Sequence, residues 1–375
     1  MKITYIANAI IPGKTAGSVH IMKMCQALSG NGHKLTLIVR SGYCKKETPL
    51  IDPHEYYNVK KLFDIVNITS RIRPNKIGIL LSLMRSFLFV YFNKSDLIYG
   101  RDLHLSFLLL LFGKELAFET HQPICDLGFL NRYIFNYLIA SDRCKSVVLI
   151  TNSLSKWYKK EYEKYAYKFF VAPDGADEID CESANHKERL SIGYIGHFYK
   201  GKGLEVISKL PEKFPDLDFY LIGGIGKEFD YWKGELSVYE NVYMTGHVDQ
   251  KTVRDYLCMF DIVLAPLQKE INPHGNTTNI SEWTSPLKIF EYMSSGATIV
   301  ASNLDVLKEV LEDGVNCLLC KSDDISEWEE SLTILKKNKN LRSRLSAAAK
   351  NKFISEYTWK IRAKNIVDEL RVTHD

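Results

Sequence analysis

The feature that most constrains this chain is an alternation of short apolar runs with helical segments, and the alternation starts twice. The first start is KITYIA. It is followed by SVHIMKMCQALSGNGH, where Ile21, Met24, Cys25 and Leu28 share one helical face, and then by KLTLIVR. DLIYGR, KELAFETH and SVVLITN read as further strands, with LHLSFLLLLFG and a segment around 129–141 as helices between them. A polar, aperiodic stretch with Pro and Gly interrupts the pattern at 173–190. LSIGYIGHF, GLEVISKLPEKF, DFYLIGG, VYMTGH, KTVRDYLCMF, DIVLAPL and ATIVAS then repeat it, and two helices close the chain. Strands alternating with helices imply parallel sheets covered on both faces. The expected fold class is α/β, with two doubly wound, Rossmann-like domains at 1–172 and 191–356 and a linker at 173–190. Ligands of open parallel sheets bind beyond the carboxyl ends of the strands, so a cleft between facing domains is the expected site.

Composition narrows the class. At 375 residues the chain exceeds one ordinary domain, and 46% hydrophobic with 25% charged residues is typical of a globular protein. The longest apolar segment, IGILLSLMRSFLFVYF (77–92), is shorter than a membrane span and carries Arg85 at its centre. It reads as a buried or interfacial helix. The N-terminus lacks a signal-peptide pattern, so a cytoplasmic location and eight reduced cysteines are expected. Cys317 and Cys320 have the spacing of a metal or redox pair but sit in a strand-like apolar run with no second pair, so they read as structural. Charge is uneven. Residues 1–172 hold 24 Lys and Arg against 12 Asp and Glu, near +12, and the remainder is near −8. The basic half suggests an anionic partner. No nucleic-acid module is recognisable, so nucleic acid is not that partner.

Two stretches carry chemistry. In NAIIPGKTAGSVH (8–20), Gly13-Lys14-Thr15 echoes a phosphate-binding P-loop, but Asn8 stands where the first glycine belongs and Pro12 removes a needed N–H. Gly17-Ser18 reads as the better helix start, with Ser18 as N-cap and Gly17 admitting a ligand close to the backbone. In SPLKIFEYMSSGATIVAS (285–302), Ser285 reads as an N-cap, Pro286 as the first helical residue and Gly296 as the stop. Leu287 and Lys288 then put free N–H groups and an ammonium at a positive helix end, and Glu291 lies one turn on along the same face. That arrangement suits a nucleotide diphosphate, with phosphates at the tip and the ribose on the carboxylate.

This second stretch resembles the donor-binding signature of retaining glycosyltransferases of the GT-B fold, family four. Other pieces match in order: Gly17, LIYGRD with AFETHQP (97–102, 117–123), VAPDGAD (171–177), GYIGHFYKGKG (193–203), DIVLAPL and YTWKIRAKNI (357–366). The resemblance implies a final helix, 357–375, that returns to an acceptor-binding N-terminal domain. It also implies a C-terminal domain that binds the nucleotide-sugar donor. Lys202 matches the family lysine that holds the diphosphate, while its arginine partner is replaced by His197. Glu291 matches the ribose-binding glutamate, but Trp283 replaces the glutamate that contacts the donor sugar. The loop ISEWTSPL (280–287) is then the expected specificity element. His121 matches the histidine that reaches the transferred sugar, and Arg101 and Glu119 fall on the acceptor side, Glu119 in a supporting role. The implied residues are His121, Lys202 and Glu291 for catalysis, with Gly17, His197, Ser285, Leu287 and Lys288 completing the donor site.

The implied reaction is transfer with retention, without cofactor or metal. Asp216-Leu-Asp218 precedes a strand and does not fit a metal-binding DxD motif. The expected partners are a nucleotide sugar and a glycan or polyprenyl-diphosphate-linked acceptor, in bacterial surface polysaccharide (O-antigen, capsule or lipopolysaccharide) synthesis. The basic N-terminal domain and residues 70–92, with Arg71, Arg73, Lys76 and Arg85, suggest peripheral contact with the inner membrane's cytoplasmic face. A sugar-nucleotide epimerase of the same fold and a non-catalytic sugar-binding relative are the alternatives.

Overall fold

The computed structural model describes residues 1–13, 15–40, 52–68, 76–181, 188–271, 279 and 281–372, the side chains of Cys125 and Asp126 excepted. Lys14, Cys44, Arg71, Arg73 and Ile280 lie outside them. The chain divides into two compact units, Met1–Pro173 with Trp359–Asp375, and Asp174–Thr358.

In the first unit the order is β1 (Lys2–Ala7), α1 (Ala16–Gly30), β2 (Lys34–Val39), α2 (Pro53–Tyr56), β3 (Asp64–Asn67), α3 (Lys76–Phe92), β4 (Leu97–Gly100), α4 (Leu103–Leu111), β5 (Leu116–Thr120), α5 (Phe129–Ala140), β6 (Cys144–Leu149), α6 (Asn152–Glu161) and β7 (Phe169–Val171). The seven strands form one parallel sheet in the order β3-β2-β1-β4-β5-β6-β7. Tyr5, Leu37, Val147 and Val148 have no exposed surface, as strands covered on both faces require. Helix α1 starts earlier than the Gly17-Ser18 reading expects. Thr15 is extended and its hydroxyl accepts from Ser18 N at 3.2 Å, so Thr15 is the cap. The Ser18 hydroxyl donates instead to the Ile10 carbonyl at 3.0 Å. Asp102 caps α4 through Leu105 N (3.1 Å) and holds buried Arg40 by two bonds, at 2.8 and 3.0 Å.

In the second unit the order is β8 (Ser191–Gly196), α7 (Leu204–Ile207), α8 (Leu210–Lys213), β9 (Asp218–Gly223), α9 (Gly226–Leu236), β10 (Val242–Thr245), α10 (Gln250–Met259), β11 (Ile262–Ala265), α11 (Leu287–Ser295), β12 (Thr298–Ser302), α12 (Asp305–Lys308), β13 (Leu318–Cys320), α13 (Ile325–Lys337) and α14 (Lys339–Glu356). Its parallel sheet runs β10-β9-β8-β11-β12-β13. Alternate strand residues feed two cores. Ile195, Ile222, Val263 and Ile299 pack with Phe290 and Tyr292, and Tyr194, Leu221, Leu264 and Val300 pack with Trp328.

The last helix, α15 (Trp359–Val372), belongs to the first unit and packs on α1, burying Trp359, Ala363, Ile366, Val367 and Leu370. Two expectations change in the second unit. Residues 174–181, read as part of a linker, are built into it. Ala176 bridges Thr358, Ile179 is buried, and Ile179 N donates to Ser294 Oγ at 2.8 Å. The cysteines are not all free either, because Cys181 and Cys258 form a disulfide. Seventy-seven residues separate them, so only the packing of the 174–181 segment brings them together. Cys317 and Cys320 stay free and buried.

Candidate functional site

The second unit gathers its polar chemistry around the end of β8 and the start of α11. Gly196 closes β8 at φ 151, and a methyl there would stand 3.0 Å from Lys288 Nζ. Gly203 sits at φ 90, where a side chain would run into the Pro266 carbonyl at 2.0 Å. Only glycine fits both demands at these two positions. The turn between them is tied to the segment after β11, since Gln268 N donates to the Gly201 carbonyl at 3.0 Å. Asn279 clips that segment in turn, accepting from Ile271 N at 2.9 Å and donating to the Lys269 carbonyl at 2.9 Å. Helix α11 begins one residue later than the sequence suggests. Pro286 is its N-cap and offers no side-chain hydrogen bond, while the Ser285 hydroxyl accepts from Asp174 N at 3.3 Å. The prolyl ring holds the extended entry and leaves the helix end without a side-chain acceptor.

Two ammonium groups converge on this uncapped end. Lys288 Nζ is buried, lies 4.0 Å from the Tyr194 ring centroid and has no hydrogen-bond partner among the described residues. Lys202 Nζ lies 5.2 Å from the Tyr199 ring centroid. Burial first, and then the charge of Lys202, push the Lys288 amine well below its ordinary pKa, with Glu291 opposing. Burial alone lowers Lys202 to about 8. Both cations therefore rest on aromatic faces in a desolvated place. A polyanion would favour the protonated form of both and meet the positive helix end. His197 is half-buried beside Tyr199, and its carbonyl accepts from the Tyr194 hydroxyl at 2.7 Å. Glu291 and Trp283 are half-buried, and Glu282 is exposed. The DxD-like pair is occupied elsewhere, Asp216 with Lys336 (2.5 Å) and Asp218 with Arg189 (3.3 Å).

In the first unit, the ends of β4 and β5 meet α1 and α15 around one carboxylate. Glu119 is buried. Its Oε1 lies 2.5 Å from His121 Nε2, 2.9 Å from His20 Nε2 and 3.2 Å from an Arg362 nitrogen, and its Oε2 accepts from the Tyr99 hydroxyl. Arg362 also donates to the Pro173 and Ala172 carbonyls, at 2.9 and 3.2 Å. Burial opposes ionisation of Glu119, but Arg362 and His20 outweigh it and hold the carboxyl well below the usual range. His20, Glu119 and His121 bring three potential metal ligands within 4.8 Å of one another. Their atoms already bond one another, however, and the Arg362 guanidinium supplies the positive charge a metal would. Nearby, Arg101 Nη1 is buried without a hydrogen-bond partner among the described residues, 3.7 Å from where a Gly17 side chain would begin. In the loop before α1, Gly13 N donates to the Tyr57 hydroxyl at 2.6 Å, and that hydroxyl donates to the Gly13 carbonyl at 2.7 Å. The N–H that a P-loop would turn toward phosphate is thus engaged.

Residues 204–368 match a family described as glycosyl transferase-like. An uncharacterized glycosyltransferase of Methanocaldococcus jannaschii is 28% identical over 180 residues, 46% of this chain and 43% of that protein. A putative teichuronic acid biosynthesis glycosyltransferase, TuaH of Bacillus subtilis, is 28% identical over 172 residues, 43% of this chain and 41% of the relative. The chain thus spans less than half the length of these two relatives. The Anabaena protein HepE, solved with UDP and glucose, superposes with a TM-score of 0.73 at 15% identity, over 99% of this chain and 100% of that one. The chain has the GT-B fold, and its residues 204–368 resemble a glycosyl transferase-like family.

Gly196, Lys202, Lys288 and Glu291 come together in the second unit, and Gly17, Arg101, Glu119 and His121 lie in the first. Ser285 acts through its contact with Asp174 rather than as a cap. Glu119 is the buried centre of its cluster, a structural place in keeping with the supporting role expected of it. Sequence reasoning missed His20, Tyr99 and Arg362. His20 had a faint signal, one turn after Gly17 on the same helix. Arg362 had none, being 243 residues from the carboxylate it holds.

Proposed function

We propose that this protein is a glycosyltransferase that moves a sugar, with retention and without a metal ion, from a nucleotide-diphosphate sugar to a glycan or lipid-linked acceptor in surface polysaccharide synthesis. The observation that carries the donor assignment is Lys288 Nζ, buried without a hydrogen-bond partner among the described residues beside Lys202 and the uncapped start of α11. In the proposed complex Lys202, Lys288 and the N–H groups of Leu287 and Lys288 hold the diphosphate. Glu291 accepts the ribose hydroxyls, and His197 and Ser285 line the approach. As the glycosidic bond breaks, negative charge grows on the departing diphosphate, and preformed cations stabilise it more than they stabilise the ground state. His121, held by Glu119, hydrogen-bonds the transferred sugar, and Gly17 and Arg101 serve the acceptor side. TuaH's name supports a polysaccharide product, and HepE's UDP and glucose support a nucleotide-sugar donor.

A thermal-shift screen of nucleotides and nucleotide sugars tests the donor assignment. A nucleoside diphosphate should raise the melting temperature, and Glu291→Ala should remove the shift. A shift that survives Glu291→Ala would place the nucleotide elsewhere. Product analysis with labelled nucleotide sugar separates transfer from epimerisation, since an epimerase releases product without an acceptor.

A further inference from the structure

Helix α3 is built inside out. Its buried positions are Gly78, Ser82, Ser86, Phe87 and Val90. Ser82 and Ser86 turn their hydroxyls back to the carbonyls of Ile79 and Ser82, both at 2.8 Å. Apart from Phe87 and Val90, most of the large apolar side chains point the other way, and Ile77, Leu80, Leu81, Met84, Leu88 and Phe92 are exposed, Leu80 by 58% and Phe92 by 76%. A helix covered only by water would reverse this distribution. The neighbouring helices continue the feature. Helix α3 packs on α4 and α4 on α5. Phe112 just after α4 is exposed, and α5 exposes Phe129 by 86% with Leu130, Tyr133 and Tyr137. Contiguous exposed apolar surface on this scale marks an interaction site.

The charges on these helices select the occupant. The sequences of α3, α4 and α5 contain Lys76, Arg85 and Arg132 and not one Asp or Glu. Of the carboxylates that follow these helices, Asp96 is engaged by Lys2 N at 2.7 Å and Glu115 by Lys145 at 3.0 Å, and Asp142, two residues after α5, is exposed. Apolar and aromatic side chains on helices whose own charges are all cationic match a lipid surface with anionic headgroups, where rings settle at the headgroup level and cations meet the phosphates. No helix among the described residues is long and apolar enough to cross a membrane. We propose that the α3–α5 face docks the protein on an anionic bilayer, with α3 lying in the plane of the interface and its Leu80, Leu88 and Phe92 side chains entering the acyl boundary. The inference goes beyond the donor assignment and shares no residue with it.

The test is vesicle sedimentation of the full chain with phosphatidylglycerol–phosphatidylcholine vesicles and with phosphatidylcholine alone, alongside Leu80→Glu, Leu88→Glu and the double variant. The wild type should pellet with anionic vesicles and at least tenfold less with neutral ones. Each substitution should weaken binding about tenfold and the double variant more, because each replaces an inserted leucine by a charge. The melting temperature and the nucleotide-induced thermal shift should stay unchanged in the variants, which separates this docking from the donor site. Wild-type chain that stays in the supernatant would overturn the proposal, as would variants that pellet like wild type. So would a concentration-dependent dimer that the substitutions dissolve, because the face would then be covered by a second copy of this chain.

Discussion

Each unit carries a concentration of charge where its strands end, and the two are solved in opposite ways. In the first unit one buried carboxylate, Glu119, is surrounded by His20, His121, Arg362 and Tyr99. In the second unit two desolvated ammonium groups, Lys202 and Lys288, rest on tyrosine faces beside an uncapped helix end. A buried charge with its partners in place holds structure together, and removing one partner is costly. A buried charge without them is a cost already present in the empty protein, which a ligand relieves. The first cluster therefore fastens β5 to α1 and α15, and the second has the character of the anion receptor proposed for it.

The comparison breaks most sharply at Glu119. Glu119→Ala should destabilise the first unit by about 3–5 kcal/mol, because it strands Arg362 and His20 in a buried place, and denaturant unfolding reads the loss. The carboxyl is held below its ordinary range in the folded state, so its contribution is fully present above the usual carboxylate pKa. It is lost as pH falls below that value. A variant as stable as wild type would show that the cluster fastens nothing. Next in size, Lys202→Ala should weaken nucleoside diphosphate binding by roughly 100-fold, the scale for losing one partner of a desolvated charge pair, while leaving the empty protein no less stable. Calorimetric titration measures the first and thermal unfolding the second.

A smaller effect concerns pH. With Lys202 lowered to about 8, diphosphate binding should weaken as pH rises through 8, and binding near that pH should take up protons. Calorimetry in buffers of different ionisation enthalpy detects the uptake, and its absence would mean that neither lysine meets the phosphates. The smallest effect is at Gly17, where an added methyl meets only ordinary contacts at 3.7 and 3.9 Å. Gly17→Ala should leave stability unchanged or raise it by about 0.4–1 kcal/mol, yet lower transfer activity, since only a ligand needs the space. Unchanged activity would remove Gly17 from the site.

What the sequence made legible follows the range of the interactions involved. The two parallel sheets are visible because each strand is a local apolar run, and each helix signals its face within a few turns. Lys288 and Glu291 are three residues apart on one helix, so their shared face needs no tertiary information. The fastening around Glu119 joins His20, Tyr99, Glu119 and Arg362 from four distant elements, and no local pattern announces it. The helix starts were misjudged for a local reason. Thr15 and Ser18 are both good caps three residues apart, and the extended conformation at Thr15 decided between them. At α11 the prolyl ring took the cap position that Ser285 seemed to own. The inside-out character of α3 was half visible, as an apolar run with a central arginine. Which side faced outward depended on Gly78, Ser82 and Ser86 packing inward.

The most direct test of the contrast between the units is thermal unfolding of Lys288→Met beside the wild type, with and without a nucleoside diphosphate. If Lys288 is a desolvated charge awaiting an anion, the empty variant unfolds at the same temperature as wild type or higher, and the ligand no longer shifts it. An empty variant that unfolds at a lower temperature and still gains the wild-type shift from the nucleotide would contradict the account.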